Sequence, residues 1–269
     1  MTDLRFSTVQ LATGPRIHYA SHGDDDGQPV VLLHGWPDSW FSYSRVMPLL
    51  PGRFRLVVPD QRGFGDSDRT AGAYGIEQFA ADVIALLDAL SIERAAIVGH
   101  SFGTLVTRCA AITAPDRVSG LVLIGAGSPG GNPVTRELLA SLSNLQDPVP
   151  PEFARDFQSS TAFVPLPEAF FDRIVAESLK LPARLWRAVL EGIVAYDDAS
   201  QLSRIAAPTL LLWGEHDALF PRQDQDRLAA AIPDARLKVY PETGHCPNWE
   251  RPELVAADIQ AFLEENDGQ

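Results

Sequence analysis

Residues 95–103 read AAIVGHSFG, a run of small and β-branched apolar residues that leads directly into the pattern G-x-S-x-G. This pattern after a strand is typical of a sharp strand-to-helix turn that holds a serine at its tip. Gly99 and Gly103 have no side chains to collide where the helix passes close to the strand. The sequence therefore predicts that Ser101 is raised into a cleft. It also predicts a helix that begins near Phe102, whose N–H would lie at the helix N-terminus.

Apolar runs and amphipathic patterns alternate along the rest of the chain. A continuous apolar run of about four to eight residues is typical of a strand buried on both faces of a parallel sheet. The first two predicted strands flank Gly14-Pro15 and form an antiparallel pair at the sheet edge. We therefore predict a mostly parallel α/β sheet with helices on both faces. The predicted strands are 6–13, 16–21, 29–33, 54–59, 95–98, 118–124, 208–214 and 237–240, and the flanking helices are 76–90, 104–112 and 253–264.

The sequence pattern of the segment 127–200 differs from the rest of the chain. Prolines there separate four helical patterns at 134–145, 152–158, 168–179 and 183–196. We predict a helical cap over 127–200, inserted into a core domain formed by 1–126 and 201–269. The cap is rich in aromatic residues, and some of them are expected to line a substrate pocket above the serine. Packing between the cap helices is the alternative for each of them. The candidate pocket residues are Phe153, Phe157 and Trp186 in the cap, with His34 and His100 beside glycines in the core.

A serine hydroxyl is a poor nucleophile at neutral pH, and it needs a base that is itself oriented by a carboxylate. Candidates lie just past the carboxyl ends of the strands. His245 follows the last predicted strand, and Glu215 and Asp217 follow the strand before it. We favour Asp217 as the acid, because the chain order Ser101, Asp217, His245 is the order typical of enzymes with this serine turn.

The oxyanion formed when the serine attacks a carbonyl needs two backbone donors. The N–H of Phe102 is the first, and the N–H of Trp36, directly after a predicted strand, is placed to be the second. Each donor of this kind is typically worth about 3–4 kcal/mol of transition-state stabilisation.

The composition limits the partners of this 269-residue chain. Its formal charge of −13 disfavours nucleic acid and anionic membranes, which require clustered Lys and Arg. The N-terminal stretch lacks the apolar segment of a signal peptide, and no apolar run is long enough to span a membrane, so we expect a cytoplasmic protein. Cys109 and Cys246 are far apart and are expected to be free thiols. A monomer and a homodimer both remain open.

Two further motifs strengthen the prediction. Residues 34–40 read HGWPDSW, and residues 60–68 read DQRGFGDSD. With the serine turn, they resemble the α/β-hydrolase superfamily with a helical cap, over essentially the whole chain. They are especially similar to motifs of epoxide hydrolases and of haloacid and haloalkane dehalogenases. The resemblance implies an α/β-hydrolase fold with an eight-stranded sheet and a cis peptide bond between Trp36 and Pro37.

The sequence departs from these families at the nucleophile, because they use an aspartate where this chain has Ser101. Serine attack on an epoxide or an alkyl halide would leave an inert ether, whereas attack on a carboxylic ester leaves an acyl-enzyme that water can cleave. The triad instead resembles that of carboxylesterases, lactonases and cofactor-free perhydrolases. We therefore expect a serine hydrolase of small to medium, largely apolar esters or lactones. A perhydrolase, a hydrolase of carbon–carbon bonds and a small-molecule receptor without turnover remain alternatives.

No metal or organic cofactor is expected. Residues 125–130 read GAGSPG and match G-x-G-x-x-G, the pattern of a dinucleotide-binding turn. That pattern must lie in the first strand-to-helix turn and open a helix, whereas Pro129 and Pro133 here flank a loop that leads into the cap. We therefore exclude a dinucleotide site.

Overall fold

The computed structural model describes residues 4–266, and a single eight-stranded sheet lies at its centre. The strand order is β1-β2-β4-β3-β5-β6-β7-β8. β1 pairs antiparallel with β2 and β2 with β4, and all remaining pairs are parallel. The α/β-hydrolase fold predicted from the sequence is thus confirmed. The strands are β1 (Arg5–Gln10), β2 (Arg16–Gly23), β3 (Gln28–Leu33), β4 (Phe54–Pro59), β5 (Ala95–His100), β6 (Val118–Ile124), β7 (Thr209–Gly214) and β8 (Ala235–Tyr240).

Helices cover both faces of the sheet, because alternate residues of each buried strand point to opposite sides. In β3, Val31 and Leu33 belong to a core shared with the helices Ile76–Ala89 and Phe102–Thr113, whereas Val30 and Leu32 belong to a second core shared with the helix Pro252–Glu265. The continuous apolar runs of the sequence arise from this burial on both faces. The helices are α1 (Ile76–Ala89), α2 (Phe102–Thr113), α3 (Pro133–Ser141), α4 (Pro151–Thr161), α5 (Glu168–Ser178), α6 (Ala183–Ala195), α7 (Arg222–Ala231), α8 (Pro247–Glu250) and α9 (Pro252–Glu265).

The four helices α3 to α6 lie between β6 and β7, where the sequence predicts the cap. A fully buried ion pair ties both ends of this segment to α2. Arg108 Nε donates to Asp198 Oδ2 at 2.8 Å, and the same guanidinium donates to the Gly127 carbonyl at 2.9 Å. Both charged side chains are wholly excluded from solvent, so hydrogen bonds and charge pairing must offset the cost of their burial. The exact division of core and cap at 127 and 200 stays a prediction.

Two local features differ from the pattern-based expectation. The helix predicted over 134–145 ends at Ser141 and continues as a short 3-10 turn, Leu142–Asn144. The helix α7 was not predicted, because its sequence RQDQDRLAAA has no apolar stripe.

The Trp36–Pro37 bond is cis, as the resemblance implies, and the Asp147–Pro148 bond is cis as well. Within residues 4–266, no helix combines the length and apolar character needed to cross a membrane.

Gly103 lies where α2 passes closest to the end of β3. A Cβ atom added to it would lie 2.4 Å from the carbonyl oxygen of Leu33 and 2.9 Å from that of His34. Both are backbone atoms that cannot rotate away. We therefore expect Gly103→Ala to lower the free energy of unfolding by about 3 kcal/mol, at the upper end of overpacking effects. Chemical denaturation measures this change.

Gly72→Ala is the matched control, since an added Cβ there meets no atom of residues 4–266 within 4 Å. Its free energy of unfolding should change by about 0.5 kcal/mol or less. Alanine is intrinsically a better helix former than glycine by about 1 kcal/mol. A Gly103→Ala protein as stable as the parent, or more stable, would therefore contradict the close approach of α2 and β3.

Candidate active site

Ser101 lies at the turn between β5 and α2. Its backbone has φ +52° and ψ −118°, a conformation that residues with a side chain rarely adopt. The turn is held from the sheet side, because the Ser101 N–H donates to the carbonyl of Ile124 at 2.9 Å. The side chain is half-buried and lines a cavity that it shares with His245. This is the strained strand-to-helix turn that the sequence predicts.

His245 is oriented by Asp217, as a catalytic base must be. The imidazole Nδ1–H donates to Asp217 Oδ2 at 2.9 Å, and both residues are buried. Asp217 Oδ1 in turn accepts from the N–H groups of Leu219 and Phe220 at 2.8 and 3.0 Å. These bonds fix the imidazole with its proton on Nδ1 and its Nε2 lone pair free. Nε2 is buried and has no hydrogen-bond partner within the described part of the chain.

The structure also distinguishes Asp217 from Glu215, the other candidate for the acid. Glu215 is exposed to solvent, whereas Asp217 turns inward toward the imidazole. The loop that carries His245 is tied to the end of α4, because the His245 N–H donates to the Thr161 carbonyl at 2.9 Å. His245 therefore lies between the sheet and the inserted helices.

Both predicted oxyanion donors border the same cavity as Ser101. Phe102 is the first residue of α2, and the N–H groups of a helix's first turn have no acceptor within the helix. Trp36 follows the end of β3, the strand next to β5 in the sheet. The positive end of the α2 dipole favours an anion at this point.

The cavity between the sheet and the inserted helices has about 480 Å³ of space that protein atoms do not fill, its mouth included. One part of its lining is apolar, and we call it the apolar wall: Leu138, Leu190, Ile193, Leu219 and Phe220. Another part carries polar atoms that contact one another, and we call it the polar wall: Asp38, His100, Gln158, Thr161 and Cys246. Ser101, the His245 imidazole and the cavity thus form one connected candidate site.

The predicted pocket residues separate into two groups. His100 and Phe157 line the cavity, whereas His34, Phe153 and Trp186 are not part of its lining. Trp186 is wholly buried and packs edge-on against Trp36 at 5.1 Å between ring centroids. It therefore lies behind the part of the cavity wall that Trp36 forms. Phe153 packs against Trp186 at 5.7 Å.

The His34 side chain instead forms hydrogen bonds with backbone groups. Its Nδ1–H donates to the Gly35 carbonyl at 2.7 Å, and its Nε2 accepts from the Gln61 N–H at 3.1 Å. Burial lowers the pKa of this imidazole, which suits a neutral ring with both nitrogens bonded. His34 therefore connects the loops that follow β3 and β4.

The contact between Asp38 and Gln158, two polar residues of the cavity lining, was not foreseen from the sequence. Asp38 follows the cis bond at Pro37, and its Oδ1 accepts from Gln158 Nε2 at 2.8 Å across the boundary between sheet and inserted helices. Ser42 Oγ donates to Asp38 Oδ2 at 3.3 Å. The one sequence signal was a carboxylate just past the end of a buried strand. Its contact with Gln158, 120 positions later, could not be read from the sequence.

A separate cluster of possible metal ligands lies outside the cavity lining. Ligand atoms of His18, Asp60 and Asp66 lie within 4.8 Å of one another. His18 Nδ1 already bonds Asp60 Oδ2 at 2.8 Å, and the Asp60 carboxylate also accepts from the N–H groups of Trp40 and Asp66. These hydrogen bonds explain why the three side chains lie together, because they hold the loop that follows β4 in place.

Comparison with known proteins finds relatives along almost the whole chain. The chain is 30% identical to a 2-hydroxy-6-oxononadienedioate/2-hydroxy-6-oxononatrienedioate hydrolase of Cupriavidus pinatubonensis, over 96% of this chain and 94% of that protein. It is 29% identical to a non-heme chloroperoxidase of Streptomyces lividans, over 95% and 99% of the two chains. Solved structures of esterases from Thermogutta terrifontis and Rhodococcus sp. superpose with TM-scores of 0.84 and 0.86. Each is 26% identical to this chain and covers 97% of it, and the match covers 98% and 99% of the two esterases. The family model described as the alpha/beta hydrolase fold matches residues 28–252, so the chain belongs to the α/β-hydrolase family.

Proposed function

We propose that this hydrolase cleaves uncharged carboxylic esters or lactones of small to medium size through an acyl-enzyme on Ser101. One observation carries the proposal. The serine turn and the Asp217–His245 pair meet at a cavity with an apolar wall, and none of the described residues that line it is a lysine or an arginine. The site therefore has a nucleophile for acyl transfer and apolar surface for an acyl or alcohol group.

The residues suggest the following steps. His245 Nε2 accepts the proton of Ser101 as Oγ attacks the ester carbonyl carbon, and Asp217 stabilises the imidazolium that forms. The N–H groups of Trp36 and Phe102 donate to the oxyanion. The intermediate collapses, the alcohol leaves with the proton from His245, and the acyl group stays on Ser101. Water then repeats the sequence with His245 as base, which releases the acid and restores the serine.

Hydrolysis of carbon–carbon bonds fits the cavity less well. The names of the relatives from this class describe dienoate or dioate substrates, which carry carboxylates. A buried carboxylate needs a cation or several strong donors to offset its desolvation. The lining offers no Lys or Arg among the described residues and instead contains the carboxyl of Asp38. These observations favour an uncharged substrate.

Hydrolysis of p-nitrophenyl acetate, butyrate and octanoate tests the proposal. We expect sustained turnover, with kcat/KM about tenfold higher for butyrate than for acetate, because two more methylenes become buried at about 0.8 kcal/mol each. The serine-less variant Ser101→Ala provides the background rate. A single burst of p-nitrophenol without turnover would indicate a receptor, and no reaction with any ester would contradict the proposal.

Perhydrolysis is a second candidate, since one relative is named a non-heme chloroperoxidase. Hydrogen peroxide in place of water at the deacylation step would release a peracid from the same acyl-enzyme. Peracid formation from an acetate ester and hydrogen peroxide, absent in Ser101→Ala, would support this activity.

A further inference from the structure

Asp38 is the one carboxyl group among the described residues that line the cavity. Its side chain is about 2% exposed, and its Oδ2 lies 4.0 Å from His100 Nδ1. A Cβ added to Gly35 would lie 3.3 Å from Asp38 Oδ2 and 3.1 Å from Ser101 Cβ, so the carboxyl and the nucleophile both border this glycine. Ser101 and the Asp38 carboxyl are therefore close neighbours in the cavity lining.

The groups that face Asp38 do not neutralise it. His100 Nε2–H donates to the His245 carbonyl, which leaves Nδ1 as an acceptor with no hydrogen-bond partner among the described residues. Burial lowers the pKa of His100 well below its ordinary value. From α4, the neutral amide of Gln158 donates one hydrogen bond. The nearby Glu177 of α5 adds a second negative charge, although it is paired with Arg173 and Lys180.

Among the remaining titratable neighbours, the His245 imidazole acts to lower the pKa of the Asp38 carboxyl, whereas Tyr43 and Cys246 keep one protonation state around neutral pH. Burial raises the pKa values of Tyr43 and Cys246 well above their ordinary values, so both stay uncharged. Burial also raises the pKa of the Asp38 carboxyl to about 7, against the opposing effect of the hydrogen bonds from Gln158 and Ser42. The carboxyl is therefore mostly neutral at pH 6 and mostly ionised at pH 8.

We propose that Asp38 is a specificity-determining residue, whose carboxyl in the polar wall excludes substrates that carry a carboxylate and so restricts the enzyme to uncharged esters. This inference rests on the proposed ester hydrolysis and adds the residue that sets its substrate class. A carboxylate held in a cavity without a compensating cation repels a second carboxylate strongly, because little water screens the two charges. The neutral acid repels it much less.

The test compares p-nitrophenyl hexanoate with mono-p-nitrophenyl adipate, which has the same six-carbon acyl chain and ends in a carboxylate ionised throughout pH 6–8. The measured quantity is a ratio, in which kcat/KM for the neutral ester is divided by kcat/KM for the anionic ester. Effects of pH that are common to both esters cancel in this ratio. For the unmodified protein we expect the ratio to rise about tenfold from pH 6 to pH 8.

Asp38→Asn keeps the shape and an acceptor for Gln158 but removes the charge. We expect its ratio to be independent of pH and about tenfold lower at pH 8. Asp66→Asn is the matched control, because it removes one exposed negative charge outside the cavity lining and should leave the pH dependence intact. Competitive inhibition by hexanoate, compared with hexanamide, gives a second readout. Inhibition by the anion should weaken from pH 6 to pH 8 in the unmodified protein and stay constant in Asp38→Asn.

The outcomes separate the two proposals. Turnover of the neutral ester with a ratio that does not change with pH in the unmodified protein would overturn the role of Asp38 and leave ester hydrolysis standing. An Asp38→Asn protein that keeps the original ratio and pH dependence would do the same. Lack of turnover with both esters would overturn ester hydrolysis and, with it, the substrate class assigned to Asp38.

Discussion

Ser101→Ala is expected to lower kcat for p-nitrophenyl butyrate by about 10⁶-fold, the loss seen when a triad serine is removed. Alanine keeps the Cβ atom and the backbone of the turn, so the cavity keeps its shape. The nucleophile alone is lost, and without it His245 has no hydroxyl to activate. Steady-state release of p-nitrophenol, corrected for the uncatalysed rate, measures the effect.

Ser160→Ala is the matched control for this variant. Ser160 lies on α4, outside the cavity lining, and its hydroxyl donates to the Phe157 carbonyl within that helix. Its kcat should stay within about twofold of the parent, since surface substitutions of this kind have small effects. A folded Ser101→Ala protein with more than a few per cent of the original kcat would contradict the serine mechanism.

Asp217→Asn is expected to lower kcat by about 10⁴-fold. The carboxylate holds the His245 proton on Nδ1 through a 2.9 Å hydrogen bond. An asparagine amide facing Nδ1 would donate instead of accepting, and the imidazole would then carry its proton on Nε2, where it cannot act as a base. The KM should change little, because Asp217 does not line the cavity. Separate measurement of kcat and KM with p-nitrophenyl butyrate checks both expectations.

The neighbouring carboxylate provides the control. Glu215→Gln removes an equal charge two positions earlier, and Glu215 is exposed. Its kcat should remain near that of the parent. If Glu215→Gln were the impaired protein and Asp217→Asn the active one, the assignment of the acid would be wrong.

The sheet could be predicted from the sequence because its strands are buried on both faces. Residues 54–59 and 118–124 are mostly apolar, with Arg55 and Ser119 as their polar members, and both strands have the predicted bounds. The helix α7 shows the opposite case, since Leu228 is its one buried large apolar residue. Its buried polar residue Gln225 donates to the Ala126 carbonyl at 3.0 Å, a tertiary partner that no local pattern reveals.

The residues of the candidate site also differ in how far they could be predicted from the sequence. Ser101, Asp217 and His245 each follow a strand, and parallel strands bring their carboxyl ends to one edge of the sheet, so sequence position alone grouped them. The cavity lining depends instead on how the inserted helices dock. Phe153 and Phe157 lie one turn apart on α4, yet of the two only Phe157 lines the cavity. Helical periodicity identifies the buried face of α4 and does not show which part of that face borders the substrate.

An acyl-enzyme on Ser101 is the central claim, and labelling with a p-nitrophenyl alkylphosphonate tests it most directly. This reagent phosphonylates a serine that is activated by a neighbouring base and leaves an adduct that water cleaves slowly. We expect one phosphonyl group per chain, located on Ser101 by peptide mass spectrometry, with loss of ester hydrolysis in proportion to labelling. Full labelling of another residue, or ester hydrolysis that persists after Ser101 is fully labelled, would contradict the account.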